Sequence, residues 1–233
     1  MIDCISVENM RLSDRYTIDN LIPSLELMHR AALGVFHSAV WHTPVAIVSG
    51  SGNNGGDGYA LACILKNHGY SCTVFSVGSH LSEDSSFYAD EAEKLGVPIL
   101  PFHAGCLTGY ETVVDCLLGT GFSGPVRENY RLAIEEINSS DAFVISVDIN
   151  SGMNGDDGEA DLAVCSDLTV TIGYVKTGLV SEKAGRYMKK LVCVDIGIVL
   201  VREELKICSE NEPSYPNSIL CPRWLDMNIL SVK

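Results

Sequence analysis

Short, nearly continuous apolar runs alternate along this chain with segments whose apolar residues recur every three or four positions. Two such runs are residues 45–48 (VAIV) and 113–118 (VVDCLL). A strand buried on both faces has this continuous character, whereas a strand with one solvent-facing side alternates apolar and polar residues. Because helical patterns separate the runs, the sequence predicts a mostly parallel sheet with helices on both sides.

The order of these patterns predicts an α/β fold, a Rossmann-like three-layer αβα sandwich with a mostly parallel central sheet and N-terminal helices. Helices are predicted at residues 7–19, 24–39, 58–68, 86–95 and 126–138. Strands are predicted at residues 45–48, 72–77, 97–100, 112–118, 143–149, 168–172 and 191–194. Residues 1–204 are expected to form one domain. Residues 205–233, which contain three prolines, are expected to be a C-terminal extension over the surface.

The segment 50–58 (GSGNNGGDG) is the most distinctive part of the chain, since five of its nine residues are glycine. It follows an apolar run and precedes a helical pattern, so backbone N–H groups and a helix dipole are expected to face an anion there. The glycines are expected to let the backbone approach a ligand and adopt positive φ. The oxygens of Asn53, Asn54 and Asp57 suit ribose hydroxyls or a cation. A tight turn without a ligand is the alternative interpretation.

Two further loops are expected at the same sheet edge, because ligands of open α/β sheets bind beyond the carboxyl ends of the strands. One loop spans residues 119–125 (GTGFSGP) and the other residues 149–153. Asp115 lies inside an apolar run and Asp148 ends another. Burying a carboxylate without a partner is costly. Each is therefore expected to meet a cation, a group of backbone N–H donors or a substrate hydroxyl, with turn capping as the alternative.

Several common enzyme classes lack their motifs here. Gly50, Gly52 and Gly55 match the letters of the dinucleotide fingerprint, but the second predicted strand ends without the acid that a dehydrogenase requires. The glycines are not followed by the Lys and Ser or Thr of a P-loop, and no GxSxG elbow of a serine hydrolase occurs. The six histidines show no zinc-binding spacing, so zinc is not expected.

Charge and cysteine content restrict the partners and the compartment. The 233-residue chain has a net charge of −14, which argues against nucleic acid and anionic membranes as partners. Its nine cysteines form no CxxC pair, which favours reduced thiols in the cytoplasm, with Cys63, Cys116 and Cys193 buried. No signal peptide and no apolar run of about 18 residues occurs, so no membrane partner is expected.

Taken in order, the motifs resemble those of the NAD(P)HX epimerases, also described as the YjeF N-terminal domain family. The resemblance runs from about Met10 to Ile198, which is most of the chain. It is carried by residues 53–58 (NNGGDG), 115–121 (DCLLGTG), 124–125 (GP), 148–152 (DINSG), 173–179 (GYVKTGL) and 195–197 (DIG).

The resemblance implies an isomerase that interconverts the R and S forms of hydrated NADH and NADPH at carbon six of the nicotinamide ring. A separate dehydratase specific for the S form then restores the cofactor. Residues implied to bind the hydrated dinucleotide are Asn53, Asn54, Gly55, Gly56, Asp57, Gly119, Thr120, Gly121, Phe122, Ser123, Gly124, Pro125 and Asp148. The resemblance also implies a potassium ion at Asn54, Asp115 and Ser151, whose oxygens suit a hard cation.

The implied reaction needs a proton donor and a proton acceptor near the ring, whether the hydroxyl is lost or the ring opens. Asp148 is the first catalytic candidate, because it ends a strand beside the other two loops. Lys176 is a weaker candidate, with a phosphate contact or a surface charge as the alternative.

The chain departs from the family pattern at Asn150 and Thr177, where the family usually has proline. Such changes are expected to loosen a loop without removing a ligand group. The tail is too short for a dehydratase domain, so a stand-alone epimerase is expected. Leu25, Met28 and Phe36 are expected to pack in the core, and the resemblance also allows a homodimer with these residues at its interface as the alternative. A noncatalytic scaffold of the same fold, or a different nucleotide-binding enzyme such as a transferase, remains the alternative function.

Overall fold

The computed structural model describes residues 2–78, 80–201, 217–219 and 226–231. Within these residues the α-helices are α1 (Val7–Asn20), α2 (Ser24–Ser38), α3 (Asn53–Asn67), α4 (Glu83–Lys94) and α5 (Glu128–Ser139). The strands are β1 (Ile2–Ile5), β2 (Val45–Ser49), β3 (Cys72–Ser76), β4 (Ile99–Pro101), β5 (Thr112–Cys116), β6 (Phe143–Val147), β7 (Leu168–Ile172), β8 (Val175–Lys176), β9 (Lys190–Asp195), β10 (Asn217–Ile219) and β11 (Asp226–Ser231). Short 3-10 helices span Thr177–Val180 and Ala184–Arg186.

Eight of the strands form one sheet in the order β11-β9-β7-β6-β5-β2-β3-β4, and every neighbouring pair is parallel. This confirms the predicted parallel sheet. The chain proceeds from β2 outward to β4, then returns to β5 on the other side of β2 and continues toward β9. The direction of strand order thus reverses between β2 and β5. The carboxyl ends of strands at such a reversal leave a crevice where ligands bind in open α/β sheets.

Helices cover both faces of this sheet, as the continuous apolar runs predict. On one face, Val45 and Ile47 of β2 pack in a core that contains the buried residues of α2 and α3. On the other face, Ala46 and Val48 pack with the buried residues of α5, including Ile134. Because successive residues of a strand point to opposite faces, a fully apolar β2 is needed to serve two cores at once.

A second, smaller sheet has the strand order β10-β1-β8. In it, β1 pairs antiparallel with β10 and parallel with β8. Its strands are only two to four residues long, and periodicity did not predict them. This sheet positions a candidate site residue, because β8 ends at Lys176.

The predicted C-terminal extension contributes a strand to each sheet, since β10 pairs with β1 and β11 pairs with β9 over six residues. The predicted domain boundary at residue 204 and most of the extension lie outside the described residues, so the division itself stays a prediction. None of the helices in the described part of the chain is long and apolar enough to cross a membrane.

Most predicted elements are present, with shifted ends. The largest shift is in α3, which was predicted to begin at Gly58 and instead begins at Asn53, after the N-cap residue Gly52. The predicted core positions also agree in part. Met28 is buried, whereas Phe36 is partly buried against the same core. None of the seven cysteines within the described residues forms a disulfide, and Cys63, Cys116 and Cys193 are buried as predicted. The homodimer stays a prediction.

Candidate functional site

A cavity of about 740 Å³ opens where the strand order reverses. Most of the residues implied by the family resemblance line it, and these are Asn53, Asn54, Asp57, Gly119, Thr120, Gly121, Phe122, Ser123, Pro125, Asp148 and Lys176. The tertiary structure thus brings together segments that are more than 100 residues apart in the chain. Gly55, Gly56, Gly124, Asp115 and Ser151 do not line the cavity.

The glycines of segment 50–58 serve close packing rather than unusual backbone angles. None of them has positive φ, so that expectation was wrong. A Cβ atom at Gly50 would lie 2.0 Å from the carbonyl oxygen of Leu117, and one at Gly55 would lie 2.0 Å from the carbonyl oxygen of Gly50. Both distances are far below van der Waals contact. Only glycine therefore allows the first turn of α3 to lie against the chain at the ends of β2 and β5.

Because α3 starts at Asn53, the Asn-Asn-Gly-Gly-Asp motif forms its first turn and a half instead of a loop before it. The N-cap, Gly52, has no side chain to accept from the free N–H groups of that turn. Such groups carry partial positive charge and attract anions. The helix start, lined by Ser51 and Asn53, faces the cavity and gives it a site for a phosphate.

Asp115 is completely buried in β5 and is surrounded by hydrogen-bond donors. Its Oδ2 accepts from the Ser146 hydroxyl at 2.9 Å and from the Ser151 backbone N–H at 2.9 Å. Its Oδ1 accepts from the Leu117 N–H at 3.2 Å and from the Ser151 hydroxyl. Burial raises the pKa of Asp115, while these hydrogen bonds act in the opposite direction. The structure thus brings Asp115 and Ser151 together, as the resemblance implied.

Asn54 lies beside this group with its side chain unused. The residue is 9% exposed, and neither its amide nitrogen nor its amide oxygen has a hydrogen-bond partner within the described residues. A buried polar atom without a partner costs about 1–3 kcal/mol. The side chain reaches the cavity next to Gly119, where an added Cβ would lie 3.2 Å from the Asn54 Cβ. An unpaired amide in this position is consistent with a ligand or an ion that supplies the missing contact.

Asp148 directly follows β6 with φ of 69°, and it is the single non-glycine residue of the described chain with positive φ. Such a conformation is uncommon for a residue with a side chain and often marks a functional site. The turn stops the predicted strand two residues early and directs the carboxylate into the cavity. Asp148 Oδ2 accepts a hydrogen bond from the Thr120 N–H at 3.4 Å, which links it to the 119–125 loop.

Lys176 is 1% exposed, so the alternative of a surface charge was wrong. Its ammonium forms an ion pair with Asp148 and donates to Thr171 Oγ1 at 3.1 Å and to the Ile172 carbonyl at 2.8 Å. All three donors of the ammonium group are therefore used. A buried cation held this firmly fixes the orientation of the Asp148 carboxylate.

Three further carboxyl groups line the cavity, those of Asp14 in α1, Asp57 in α3 and Asp84 in α4. Burial raises the pKa of Asp14, and the nearby Asp148 raises it further while Lys176 lowers it. Burial also raises the pKa of Asp57 well above its ordinary value, with smaller contributions from Asp148 and Asp14. Acids whose pKa is raised in a cleft are candidates for proton transfer. The sequence reasoning did not identify Asp14, although it follows Met10 by one helical turn on the same side of α1.

The 119–125 loop is open toward the cavity and held at its start. Phe122 N–H donates to the Gly119 carbonyl at 3.0 Å, and the Arg11 guanidinium donates to the Thr120 carbonyl. A Cβ at Gly121 or Gly124 would meet no atom within 4 Å. Gly124 has φ of 84°, a left-handed conformation that glycine adopts without strain. Arg11, like Asp14, comes from α1 and was missed in the sequence.

The departure from the family pattern at Asn150 does not loosen the loop that contains it. Asn150 is fully buried, and its amide nitrogen donates to the Val164 carbonyl at 3.0 Å, the Ser166 hydroxyl at 3.0 Å and the Tyr187 carbonyl at 2.8 Å. Its oxygen accepts from Thr169 Oγ1 at 2.7 Å. These four bonds hold the turn that carries Asp148 and Ser151. The expectation of a looser loop was wrong at this position, because an amide can fix a backbone through hydrogen bonds as a proline does through its ring.

The arrangement offers an anion site at a helix start, a fixed ion pair and carboxyl groups able to exchange protons, all in one cavity. It suits a nucleotide-like ligand whose reacting part lies near Asp148. Among the described residues, no group of three His, Cys, Asp or Glu side chains is arranged to hold a metal ion.

Comparisons with known proteins agree with this geometry. The family model described as YjeF-related protein N-terminus matches residues 24–178. An NAD(P)H-hydrate epimerase of Limosilactobacillus fermentum is 36% identical over 199 residues, which are 82% of this chain and 95% of that protein. A Bifunctional NAD(P)H-hydrate repair enzyme Nnr of Coxiella burnetii is 35% identical over 81% of this chain and 40% of that protein. The crystal structure of yeast ynu0 covers 75% of this chain and 82% of that chain with a TM-score of 0.67 and 24% identity, which supports the fold alone.

Proposed function

The chain belongs to the family of YjeF-related protein N-termini, and from this premise we propose that it is an NAD(P)H-hydrate epimerase. It interconverts the R and S forms of hydrated NADH and NADPH, which makes both forms available for repair. The observation that carries the proposal is the cavity where the strand order reverses, in which the family motifs meet the Asp148–Lys176 ion pair. The 36% identity with an epimerase over nearly its full length supports the same activity.

The hydrated dinucleotide lies across the mouth of the cavity in this proposal. The residues of segments 53–57 and 119–125 that line the cavity contact it, with the phosphates at the start of α3 and the nicotinamide end near Asp148. The helix start and the open 119–125 loop are the sites that suit the anionic part of the ligand. A cavity of about 740 Å³ lies within the usual range for binding a ligand of this class.

Epimerisation requires that a proton be given to one group of the ring carbon and later removed again. Asp148 acts as a proton acceptor, and the buried ammonium of Lys176 holds its carboxylate in one orientation and balances its charge. The hydrogen bond from the Thr120 N–H keeps the second carboxylate oxygen aligned with the substrate loop. Lys176 has no free donor left for a phosphate, so its role is to position Asp148.

A potassium ion is part of the proposal, with Asn54, Asp115 and Ser151 as the residues that hold it. The fit rests on two observations, the buried Asn54 oxygen without a partner and the buried Asp115 carboxylate, for which the described residues provide no ion pair. Oxygen atoms of amide, carboxylate and hydroxyl groups suit a hard cation. When bound, the ion supplies positive charge that offsets Asp115 and fixes the start of α3.

The decisive experiment follows the exchange of purified R and S hydrated NADH by chromatography, with potassium chloride or with sodium chloride at equal ionic strength. We expect the chain to equilibrate the two forms much faster than they equilibrate without protein, and faster with potassium. No acceleration in either salt would contradict the proposed activity, whereas equal acceleration in both would contradict the potassium site alone.

The product of this activity is the S form, so we propose that a separate dehydratase consumes it, in the same cytoplasmic compartment. The match over 95% of an NAD(P)H-hydrate epimerase supports the assignment of the two reactions to separate chains, and the broader name of the bifunctional relative supports the link between them. A coupled assay tests it. Adding a dehydratase specific for the S form should convert all of a mixed R and S sample only when this chain is present.

A further inference from the structure

Asp14 contributes a carboxyl group to the cavity, and no contact of that group with the described residues stabilises the fold. It is half-buried in the second turn of α1 and lines the cavity together with Asp148 and Lys176. No described residue donates a hydrogen bond to its carboxylate or forms an ion pair with it. The other acids on the exposed side of α1, such as Asp19, face solvent. An acid withdrawn from water and left without a protein partner is suited to a substrate group.

The helix that carries Asp14 is fixed on several sides. At its start, the Ser6 hydroxyl accepts from the Asn9 N–H at 3.1 Å, and Asp156 accepts from the Val7 N–H at 2.7 Å. On its buried face, Ser13 and Thr17 are completely buried and accept hydrogen bonds from the 199–201 segment. These contacts hold α1 against Asp156 at its start and against segment 199–201 along its buried face. They provide the rigid support that a proton-transferring group requires.

A third contact joins α1 to the substrate loop. The Arg11 guanidinium, one helical turn before Asp14, donates to the Thr120 carbonyl, and the Thr120 N–H in turn donates to Asp148. Arg11 of α1 is therefore connected to Asp148 through Thr120, and Asp14 and Asp148 line the same cavity from different elements. The arrangement brings two carboxyl groups to one substrate from two separate parts of the chain.

We propose that Asp14 is a second catalytic residue and serves as the proton donor opposite the acceptor Asp148. The inference rests on the proposed epimerase function and deepens it. The protonated Asp14 carboxyl gives its proton to the ring hydroxyl, the carbon–oxygen bond breaks, and water leaves while the ring nitrogen lone pair forms a carbon–nitrogen double bond.

The return step uses the other carboxyl group. Water attacks the opposite face of the ring carbon, the new carbon–oxygen bond forms, and the nitrogen recovers its lone pair. The Asp148 carboxylate accepts the proton that the attacking water releases. Transfer of that proton through solvent from Asp148 to Asp14 restores the starting state, so no oxidant or other reactant is needed.

The charges around Asp14 support this division of roles. Burial, followed by the negative charge of Asp148, raises the pKa of Asp14, and Lys176 opposes this effect. Asp148 is paired with Lys176, whereas Asp14 has no such partner. Two carboxyl groups in unlike environments commonly divide into an acid and a base. The other charged groups that line the same cavity are Arg11, Asp57, Asp84 and Arg127.

The test compares Asp14→Asn with Asp14→Glu and with Asp19→Asn, a matched control on the exposed side of the same helix. Exchange of R and S hydrated NADH is measured across pH, with kcat and KM determined separately. We expect Asp14→Asn to lower kcat by about 10²–10⁴-fold with little change in KM. Its pH profile should also lose the decline toward high pH that ionisation of the donor causes. Asp14→Glu should restore part of the rate, and Asp19→Asn should match the unmodified chain.

An oxygen-isotope measurement provides a second readout. In water enriched in oxygen-18, each exchange event should introduce the label into the ring hydroxyl, because the original oxygen leaves as water. An Asp14→Asn rate within about threefold of the unmodified chain, or an unchanged pH profile, would overturn the role of Asp14. Exchange without label would also overturn it. Failure of the unmodified chain to exchange the two forms would instead overturn the proposed function.

Discussion

Asp115 lies near the end of β5 and Asp148 directly follows the neighbouring strand β6, yet their carboxylates have opposite environments. Asp115 is fully buried, and four protein donors satisfy its two oxygens. Asp148 adopts positive φ, faces the cavity and has a buried lysine as its partner. The Asp115 carboxylate is enclosed and its hydrogen bonds are satisfied, whereas the cavity region around Asp148 contains Asp14 and Asp57, whose carboxyl groups accept no hydrogen bond from the described residues.

The difference places groups that stabilise the fold beside groups suited to chemistry at one edge of the sheet. In the Asp115 region, each polar group contributes to the fold because its loss leaves a buried donor without an acceptor. In the cavity region, burial of carboxyl groups without partners costs stability, which proteins accept where function requires it. Substitutions in the two regions should therefore affect stability with opposite sign, and activity should depend mainly on the cavity region.

The largest expected effect is on activity, at Asp148. Asp148→Asn should lower the rate of R and S exchange by about 10²–10⁴-fold, because the proton acceptor is lost. The fold should persist, since asparagine tolerates positive φ and its amide oxygen still accepts from Lys176. Exchange is measured by chromatography and folding by circular dichroism. Retained exchange in the folded variant would remove Asp148 from the chemistry.

The second effect is on stability, at Asp115. Asp115→Asn should lower the free energy of unfolding by about 3 kcal/mol, since its NH₂ group would face buried donors such as the Ser151 N–H. Urea denaturation measures it, and an unchanged m-value shows that the compactness of the states is preserved. A loss below about 0.5 kcal/mol, as surface substitutions give, would contradict the view that this region is structural.

The third effect links the two regions through the proposed potassium site. Potassium at ten times its dissociation constant should stabilise the protein by about 1.4 kcal/mol over sodium, because an ion that binds only the folded chain shifts the equilibrium. Thermal unfolding in the two salts at equal ionic strength measures the difference. Asn54→Ala should abolish it. A difference that persists in this variant would exclude Asn54 as a ligand.

The smallest effect has the opposite sign. Asp57→Asn should raise the free energy of unfolding by about 1 kcal/mol at neutral pH, because it removes a carboxyl group whose ionisation is disfavoured by burial. The folded pKa lies above the unfolded value, so the ionised group destabilises the fold above the folded pKa. This cost disappears as pH falls to the unfolded value near 3.8.

The gain from Asp57→Asn should therefore shrink as the solution is acidified from pH 7 toward 4. Denaturation at several pH values provides the measurement. A variant that is less stable than the unmodified chain at neutral pH would show that Asp57 is satisfied in the folded protein, and the contrast between the two regions would not hold for this residue.

The sequence predicted the parallel sheet, its helices and the meeting of the glycine-rich segment with Asp115, Asp148 and Ser151. These predictions succeed because apolar periodicity is local and because parallel strands bring their carboxyl ends to one edge. It failed at the start of α3, since letters such as NNGGDG suggest a flexible loop while tertiary packing makes them a helical turn. It also underestimated Lys176, which is nearly completely buried.

The sequence by itself determined which elements form and which chemical groups reach the carboxyl edge of the sheet. Only the tertiary structure decided how each group is used. The burial of Lys176, the unpaired side chain of Asn54 and the presence of Asp14 in the cavity depend on how α1 and the small second sheet pack against the main one. Their physical reason is non-local, because hydrogen-bond satisfaction and loss of water depend on atoms distant in the chain.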